Sequence, residues 1–154
     1  MVDVSGKDTS SRLAVATGSI NMKKETIDMI KEGKILKGDV LSVSTIGGIM
    51  GAKKTYELIP MCHNIFLSGV SIEYKINENS IDILARVKTQ SQTGVEMEAL
   101  TAVSIAALTI YDMCKSVDKD MVISDIILLE KHGGKKIENR EQGTGNREQR
   151  TGNK

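Results

Sequence analysis

Cys62 and His63 are adjacent, and a thiol beside an imidazole is a pair of side chains that can do chemistry. A thiolate next to an imidazole suits nucleophilic catalysis or metal binding. The whole chain has two Cys and two His, so a four-ligand structural zinc site cannot be built within one subunit. The alternatives are a small buried Cys62 with a hydrogen-bonding His63, or a pair that contacts a ligand without a metal. We therefore predict neither a metal site nor a cofactor.

Lysines occur beside glycines in three segments, and lysines can bind phosphate as point charges. Lys53 and Lys54 follow a glycine-rich run, but their spacing departs from the Walker pattern at two positions, which excludes an ATPase of that kind. Lys131 opens a second basic segment, and Lys37 precedes a predicted helix. Taken singly, each is typical of a solvated surface charge. Several lysines converging on one place would suit a polyphosphate substrate.

Residues 94–117 form the clearest predicted helix. Its apolar side chains recur every three or four positions, at Leu100, Val103, Ala107, Ile110 and Cys114. No charged residue lies between Glu98 and Asp112, so the helix is apolar or small nearly all round. A helix lying on one sheet needs only one apolar face. We therefore expect something else, most economically a second subunit, to cover the opposite side.

Polar side chains lie at both ends of this helix. Thr93 and Glu96 fit a capping box, which offers a purely structural role for Glu96, whereas Glu98 is not needed for that cap. Asp112 and Lys115 are spaced i, i+3 and share a helix face, where they form either a surface ion pair or part of a site. Glu98 and Asp112 are separated by roughly 21 Å along a helix. If both ends serve one small-molecule site, the two ends come from different subunits, which predicts an active site at a subunit interface.

The remaining pattern indicates an α+β fold. Helical spacing predicts a helix over 22–31, ended by Gly33, and a glycine-rich helix within 39–59 whose thin side allows close approach. Alternating apolar residues predict a hairpin of strands 70–76 and 81–87, with further strands over 12–20 and 121–129. About three helices on an antiparallel sheet of about four strands is most simply a ferredoxin-like layer.

Composition excludes several classes of protein. The 154 residues include 40% hydrophobic and 27% charged residues, enough for one core, and the net charge is +1. That balance produces no global field to attract nucleic acid or an anionic membrane, and 3% aromatic residues argue against base stacking. There is no membrane-length apolar run, no secretory leader and no disulfide scaffold. We expect a cytoplasmic protein without nucleic-acid or membrane partners.

The last residues differ from the rest. Residues 137–154 contain a seven-residue near-repeat, Asn-Arg-Glu-Gln-x-Thr-Gly, with no apolar residue after Ile137. Such a segment cannot offset its ordering entropy by burial. We predict a catalytic domain over 1–136 and a disordered low-complexity tail over 137–154, with an interaction tail as the alternative.

Several blocks in order along the chain carry a family resemblance. They are Lys-Gly-Asp-Val at 37–40, Ala-Lys-Lys-Thr at 52–55, Leu-Ile-Pro-Met-Cys-His at 58–63, Thr-Gly-Val-Glu-Met-Glu-Ala-Leu-Thr at 93–101 and Leu-Thr-Ile-Tyr-Asp-Met-Cys-Lys at 108–115, with Met-Val-Asp-Val-Ser at 1–5 and Lys-x-Gly-Gly-Lys at 131–135. Together they resemble the molybdenum cofactor biosynthesis protein C family, the cyclic pyranopterin monophosphate synthases, over essentially 1–135.

The resemblance implies a reaction and an assembly. Members of this family are lyases that convert 3',8-cyclo-7,8-dihydro-GTP into cyclic pyranopterin monophosphate. The purine ring is opened and rebuilt, and pyrophosphate leaves as the cyclic phosphate closes. The implied fold is ferredoxin-like, and the implied assembly is a homo-hexamer, a trimer of dimers with sites between subunits.

The resemblance also implies residue roles. The catalytic positions are Asp112, Lys115 and Lys37. The substrate-binding positions are Met61, Cys62, His63, Glu96, Met97, Glu98, Arg12, Lys53 and Lys131. The Asp–Lys pair suits proton transfer because each group perturbs the other's pKa. The basic side chains suit the triphosphate, and Glu98 or His63 suits the guanine edge.

The sequence departs from the family pattern at two places. Thr45 stands where family members often have arginine, and Lys136 and Ile137 replace the usual Ser-Gly ending, which bears on phosphate contacts there. Two other classes of function stay open from the residues alone. One is a regulatory domain that senses a nucleotide at an interface pocket, and the other is a structural oligomerisation module. The module would explain the apolar helix but not the lysines or the Cys62-His63 pair.

Overall fold

The computed structural model describes residues 1–133 and 138–139. The elements are β1 (Ser10–Asn21), α1 (Lys24–Lys31), α2 (Val40–Lys53), α3 (Thr55–Leu58), β2 (Leu67–Ile76), β3 (Ser80–Ser91), α4 (Glu96–Cys114), β4 (Val122–His132) and β5 (Glu138–Asn139). The strand order in the sheet is β2-β3-β1-β4-β5, and every pairing is antiparallel. The predicted α+β, ferredoxin-like arrangement is confirmed. The predicted tail lies outside the described residues except for Glu138–Asn139, which pairs with β4.

The predicted hairpin is present as β2 and β3, and period-2 alternation determines which face of the sheet is buried. Along β3, the side chains of Ile81, Ile83 and Val87 are fully buried, while the residues between them are partly exposed. In the register with β1, Val87 lies opposite Ala14 and Ile81 lies opposite Ile20. These pairs place one continuous apolar face under the helices.

Helix α4 packs on that face, and α2 packs antiparallel to it on its other side. Glycines of α2 permit this close approach. A Cβ atom on Gly48 would lie 3.0 Å from the carbonyl oxygen of Ala102, and one on Gly51 would lie 2.9 Å from Cβ of Ile105. The predicted thin side of this helix is thus its contact with α4.

This packing corrects two expectations. The side of α4 assigned to a second subunit is covered by α2 of the same chain, so its apolar circumference alone gives no evidence of an oligomer. The single helix predicted within 39–59 is divided at Lys54, because the Thr55 hydroxyl donates to the carbonyls of Gly51 and Ala52 at 3.0 Å each. By length and composition α4 could cross a membrane, but 56% of that window is buried inside this domain, as expected of a core helix.

A buried carboxylate completes the N-terminus of α1, where the N-cap residue Lys23 makes no side-chain cap. Asp118, which is 1% exposed, accepts hydrogen bonds from the Lys23 N–H and the Thr26 hydroxyl, each at 2.9 Å. The Asp120 N–H also donates to it at 3.1 Å. Burial alone would raise the pKa of Asp118, but these donors outweigh burial and hold its pKa below 3.8. A carboxylate at a helix N-terminus also interacts favourably with the helix dipole.

We expect Asp118→Ala to lower the unfolding free energy by about 2 kcal/mol at neutral pH, because three donors lose their acceptor. The folded-state pKa is depressed, so this stabilisation is present above the ordinary value of 3.8 and disappears as the pH falls through the folded-state pKa. Thermal unfolding of both proteins at pH 7 and below pH 3.8 checks this. Asp120→Ala is the control, since that side chain is 84% exposed and makes a 3.8 Å ion pair with Lys23. An equal loss in both variants, or a loss that persists in acid, would contradict the capping role.

Candidate active site

Lys37, Asp112 and Lys115 form a cluster at the C-terminal end of α4, called here the lysine–aspartate cluster. The Lys37 ammonium nitrogen lies 2.9 Å from Oδ2 of Asp112, and the Lys115 ammonium nitrogen lies 3.0 Å from Oδ1. Lys37 also donates to the backbone carbonyl of Asp112 at 3.1 Å, in the last turn of α4, where helical carbonyls lack partners and cations are favoured. Lys37 reaches this place because α2, which it precedes, begins where α4 ends.

The electrostatics of this cluster suit proton transfer. Hydrogen bonds from Lys37 and Lys115, with their charges, lower the pKa of Asp112 below 3.8, so the carboxylate stays ionised between two ammonium groups. All three side chains are about half exposed, and exposed ion pairs add little to stability. The cluster therefore offers one acceptor and two donors, accessible to a ligand, at little structural benefit.

Glu96 begins α4 and makes an ion pair across to β4, where its Oε1 lies 2.7 Å from the ammonium nitrogen of Lys131. The predicted capping box is wrong. The N-cap residue is Val95 rather than Thr93, and no side chain caps the helix. The reason is tertiary, since β4 brings a lysine to the carboxylate that local spacing assigned to a backbone N–H.

Glu98 lies one helical step further and is only 4% exposed. Burial raises its pKa above 4.5, the carboxylate of Glu96 raises it further, and its own backbone N–H opposes both. A carboxyl group whose pKa is raised towards neutrality can give and take a proton under physiological conditions. Glu98 is therefore the second candidate acid–base group.

Cys62 lies close enough to Glu98 for the two to interact electrostatically. Burial raises the pKa of the Cys62 thiol, and the Glu98 carboxylate raises it further. A thiol with a raised pKa is a poor nucleophile because the thiolate is the reactive form. These observations favour the ligand-contacting alternative over nucleophilic catalysis. Within the described ranges, 1–133 and 138–139, no group of three or more His, Cys, Asp or Glu side chains could hold a metal ion.

Arg12 fixes the loop that leads into α4. Its Nε donates to the Ser91 carbonyl at 3.1 Å, and one Nη donates to the Gln92 carbonyl at 3.4 Å. Gly133 passes so close that a Cβ atom there would lie 2.9 Å from the side chain of Arg12. A guanidinium has five N–H donors, so Arg12 retains donors for an anion while it holds this loop.

Met61 and His63 line an open cavity of ≈ 510 Å³, the opposite wall of which is the N-terminal segment. The full lining is Met1, Val2, Val4, Lys7, Met61, His63 and Thr93. His63 Nε2 lies 2.7 Å from the carbonyl oxygen of Val2. Sequence analysis did not include residues 1–7 among the site candidates, because their types carry no catalytic signal. Only their place in the fold reveals the contact.

The candidates do not form one site within one chain. Glu98 and Asp112 belong to the same unbroken helix, so they are roughly 21 Å apart at 1.5 Å per residue. Lys53 ends α2 at the end of the helix pair where α4 begins, and Met97 lies in the first turn of α4 with 37% of its surface exposed. The structure thus gives two groups, the lysine–aspartate cluster and a second group around Glu98, at opposite ends of α4.

Comparison with known proteins agrees with this arrangement of residues. The family model described as the MoaC family matches residues 1–134. A protein of Peptoclostridium acidaminophilum is 65% identical over 135 residues, covering 88% of this chain and 86% of its own length. A protein of Clostridium acetobutylicum is 62% identical over 137 residues, covering 88% and 85%, and one of a Thermoanaerobacter species is 63% identical over 137 residues, covering 88% and 87%. All three are named cyclic pyranopterin monophosphate synthase. With two groups of candidate residues at the ends of α4 and a match over nearly all of its ordered domain, this chain belongs to the MoaC family.

Proposed function

We propose that this chain is a cyclic pyranopterin monophosphate synthase of molybdenum cofactor biosynthesis. As a lyase, it would convert 3',8-cyclo-7,8-dihydro-GTP into cyclic pyranopterin monophosphate and pyrophosphate. The names of its relatives support the reaction. The single structural observation that carries the proposal is the Asp112 carboxylate, which Lys37 and Lys115 hold from both sides. A regulatory domain or an oligomerisation module leaves that arrangement without a task.

The reaction requires proton transfers while the purine ring is opened and rebuilt. Asp112 is ionised at neutral pH, so it can accept a proton, and the lysines beside it can donate one. Fixed ammonium groups also stabilise negative charge that develops on the reacting atoms. We assign Asp112, Lys115 and Lys37 as the catalytic residues.

The triphosphate of the substrate requires cations. Arg12, Lys53 and Lys131 supply them in this proposal. Lys131 is paired with Glu96 in the structure, so a bound phosphate would share or replace that contact. Cations around the phosphate chain favour closure of the cyclic phosphate, because they stabilise the departing pyrophosphate.

The rest of the substrate would contact residues near the start of α4. Glu98 and His63 are assigned to the guanine edge. Met61, Cys62, Glu96 and Met97 complete this part of the pocket. No metal or other cofactor is included in the proposal, since acid–base groups and cations suffice for the steps above.

The proposed assembly is a homo-hexamer, a trimer of dimers, with each active site between subunits. The separation of roughly 21 Å between Glu98 and Asp112 supports this, because one substrate cannot contact both within one chain. Val43, Ile46 and Met50 form an exposed apolar stripe at i, i+3 and i+7 on α2, as expected of a surface between subunits. We place the enzyme in the cytoplasm, without nucleic-acid or membrane partners.

The test of this function is product formation from the enzymatically prepared cyclic dihydro-GTP intermediate. Cyclic pyranopterin monophosphate is followed as its fluorescent oxidised derivative, and pyrophosphate is measured in the same samples. We expect both products in equal amounts. Binding of the intermediate with release of neither product would refute the synthase and favour a nucleotide-sensing domain.

A further inference from the structure

The backbone of residues 1–7 makes a specific contact with His63. Two hydrogen bonds fold this segment, one from the Ser5 N–H to Oδ1 of Asp3 at 2.9 Å and one from the Lys7 N–H to the Val4 carbonyl at 3.0 Å. The folded segment brings the Val2 carbonyl oxygen to 2.7 Å from His63 Nε2, at the short end of the range for such bonds. The contact therefore comes from an ordered turn.

The direction of this hydrogen bond is fixed by chemistry. A backbone carbonyl oxygen has no proton to donate, so Nε2 of His63 must carry the proton. In a neutral imidazole only one ring nitrogen is protonated, and the other is an acceptor. While the Val2 contact holds, Nδ1 is the acceptor nitrogen of neutral His63.

Asp3 provides independent evidence that the segment lies beside this ring. The backbone N–H of Ser5 is the main cause that lowers the pKa of Asp3, its hydroxyl adds to the effect, and the charge of His63 also contributes. Residues 1–7 and Met61, His63 and Thr93 also form opposite walls of the same cavity. The segment is thus part of the wall that a ligand of His63 would meet.

We propose that the N-terminal segment is a positioning element for His63: the Val2 carbonyl fixes the Nε2–H tautomer and the ring orientation, so that Nδ1 accepts a hydrogen bond from a donor on the substrate. The N–H groups on the edge of a guanine-type ring are donors of the required kind. The assignment of His63 to the substrate rests on the proposed function, whereas the contact with Val2 does not.

The first test is spectroscopic and needs no substrate. The chain has two His, so nitrogen-15 spectra of the full chain contain two imidazole patterns, and His132→Gln identifies the one from His63. We expect the full chain to show a protonated Nε2 and an acceptor Nδ1 for neutral His63. Deletion of residues 2–4 should convert this pattern into a mixture of tautomers. An unchanged pattern after deletion would overturn the proposal.

The second test is a double-mutant cycle on turnover. We expect deletion of residues 2–4 to raise KM about tenfold with kcat nearly unchanged, as for loss of one positioned hydrogen bond made in both ground and transition states. In a His63→Ala background the same deletion should have little further effect. An equal rise in KM in both backgrounds would show that the segment acts independently of His63 and would overturn the proposal.

Two point variants keep the chain at full length. Ser5→Pro removes the N–H that donates to Asp3, so it should loosen the turn and move both readouts in the same direction as the deletion. Gly6→Ala is the matched control in the same segment, because a Cβ atom there meets nothing within 4 Å. If the wild type makes no product, the proposed function fails, and the spectroscopic test still decides whether Val2 positions His63.

Discussion

Asp112→Asn is expected to abolish synthesis of cyclic pyranopterin monophosphate while leaving the fold intact. The amide keeps the shape of the side chain but loses the charge that Lys37 and Lys115 hold between them. Loss of a positioned general base typically costs about 10²–10⁴-fold in rate. Because both ion pairs are solvent-exposed, unfolding should change little. Product formation, thermal unfolding and binding of the intermediate are the three measurements.

Glu73→Gln is the matched control for that variant. Glu73 forms an equally short and similarly exposed ion pair, 2.9 Å from Arg86, on the strand pair β2 and β3 and outside both groups of candidate residues. Its loss should leave product formation unchanged. Near-normal product formation by Asp112→Asn would refute the catalytic assignment, and equal losses in both variants would point to a general effect of removing surface charge.

Mixing two inactive variants should restore activity if each site takes one end of α4 from each of two subunits. Glu98→Gln and Asp112→Asn would each be inactive alone, because every site lacks one group. In randomly mixed oligomers about a quarter of the sites would combine an intact Glu98 with an intact Asp112 from different subunits. We therefore expect about a quarter of wild-type activity after co-expression, measured on mixed oligomers isolated with two affinity tags.

The control for this experiment mixes Asp112→Asn with Lys115→Ala. Both changes lie in the lysine–aspartate cluster, whose members come from one chain, so every site in the mixed oligomer keeps one defect. No activity should return. If isolated mixed oligomers of Glu98→Gln and Asp112→Asn also stay inactive, the site is not shared in this way, and the interface proposal is wrong.

Much of the fold was predictable because periodicity is a local property. Alternation along 81–87 identified a strand with one buried face, and three-to-four spacing identified the helix that the structure places at Glu96–Cys114. The glycines of α2 even indicated a close approach, which Gly48 and Gly51 make. In each case the burial of a face follows from side chains within about ten residues of one another.

The errors share one physical cause, which is competition from a residue distant in sequence. Glu96 was assigned to a local cap with Thr93, but β4 supplies the ammonium of Lys131, a stronger partner for a carboxylate than a neutral N–H. The outer side of α4 was assigned to a second subunit, but α2 occupies it. Local spacing cannot rank a nearby partner against one that only packing brings close.

The sequence by itself determined the helices and strands, the family resemblance, and the separation of Glu98 from Asp112, because residue spacing along one helix is a fixed length. Only the tertiary structure decided which groups meet. Lys37 contacts Asp112 across 75 positions, and His63 contacts Val2 across 61. The raised pKa values of Glu98 and Cys62 likewise depend on burial by several elements at once. Contacts and desolvation of this kind arise only when the elements pack, so they carry no local signal in the sequence.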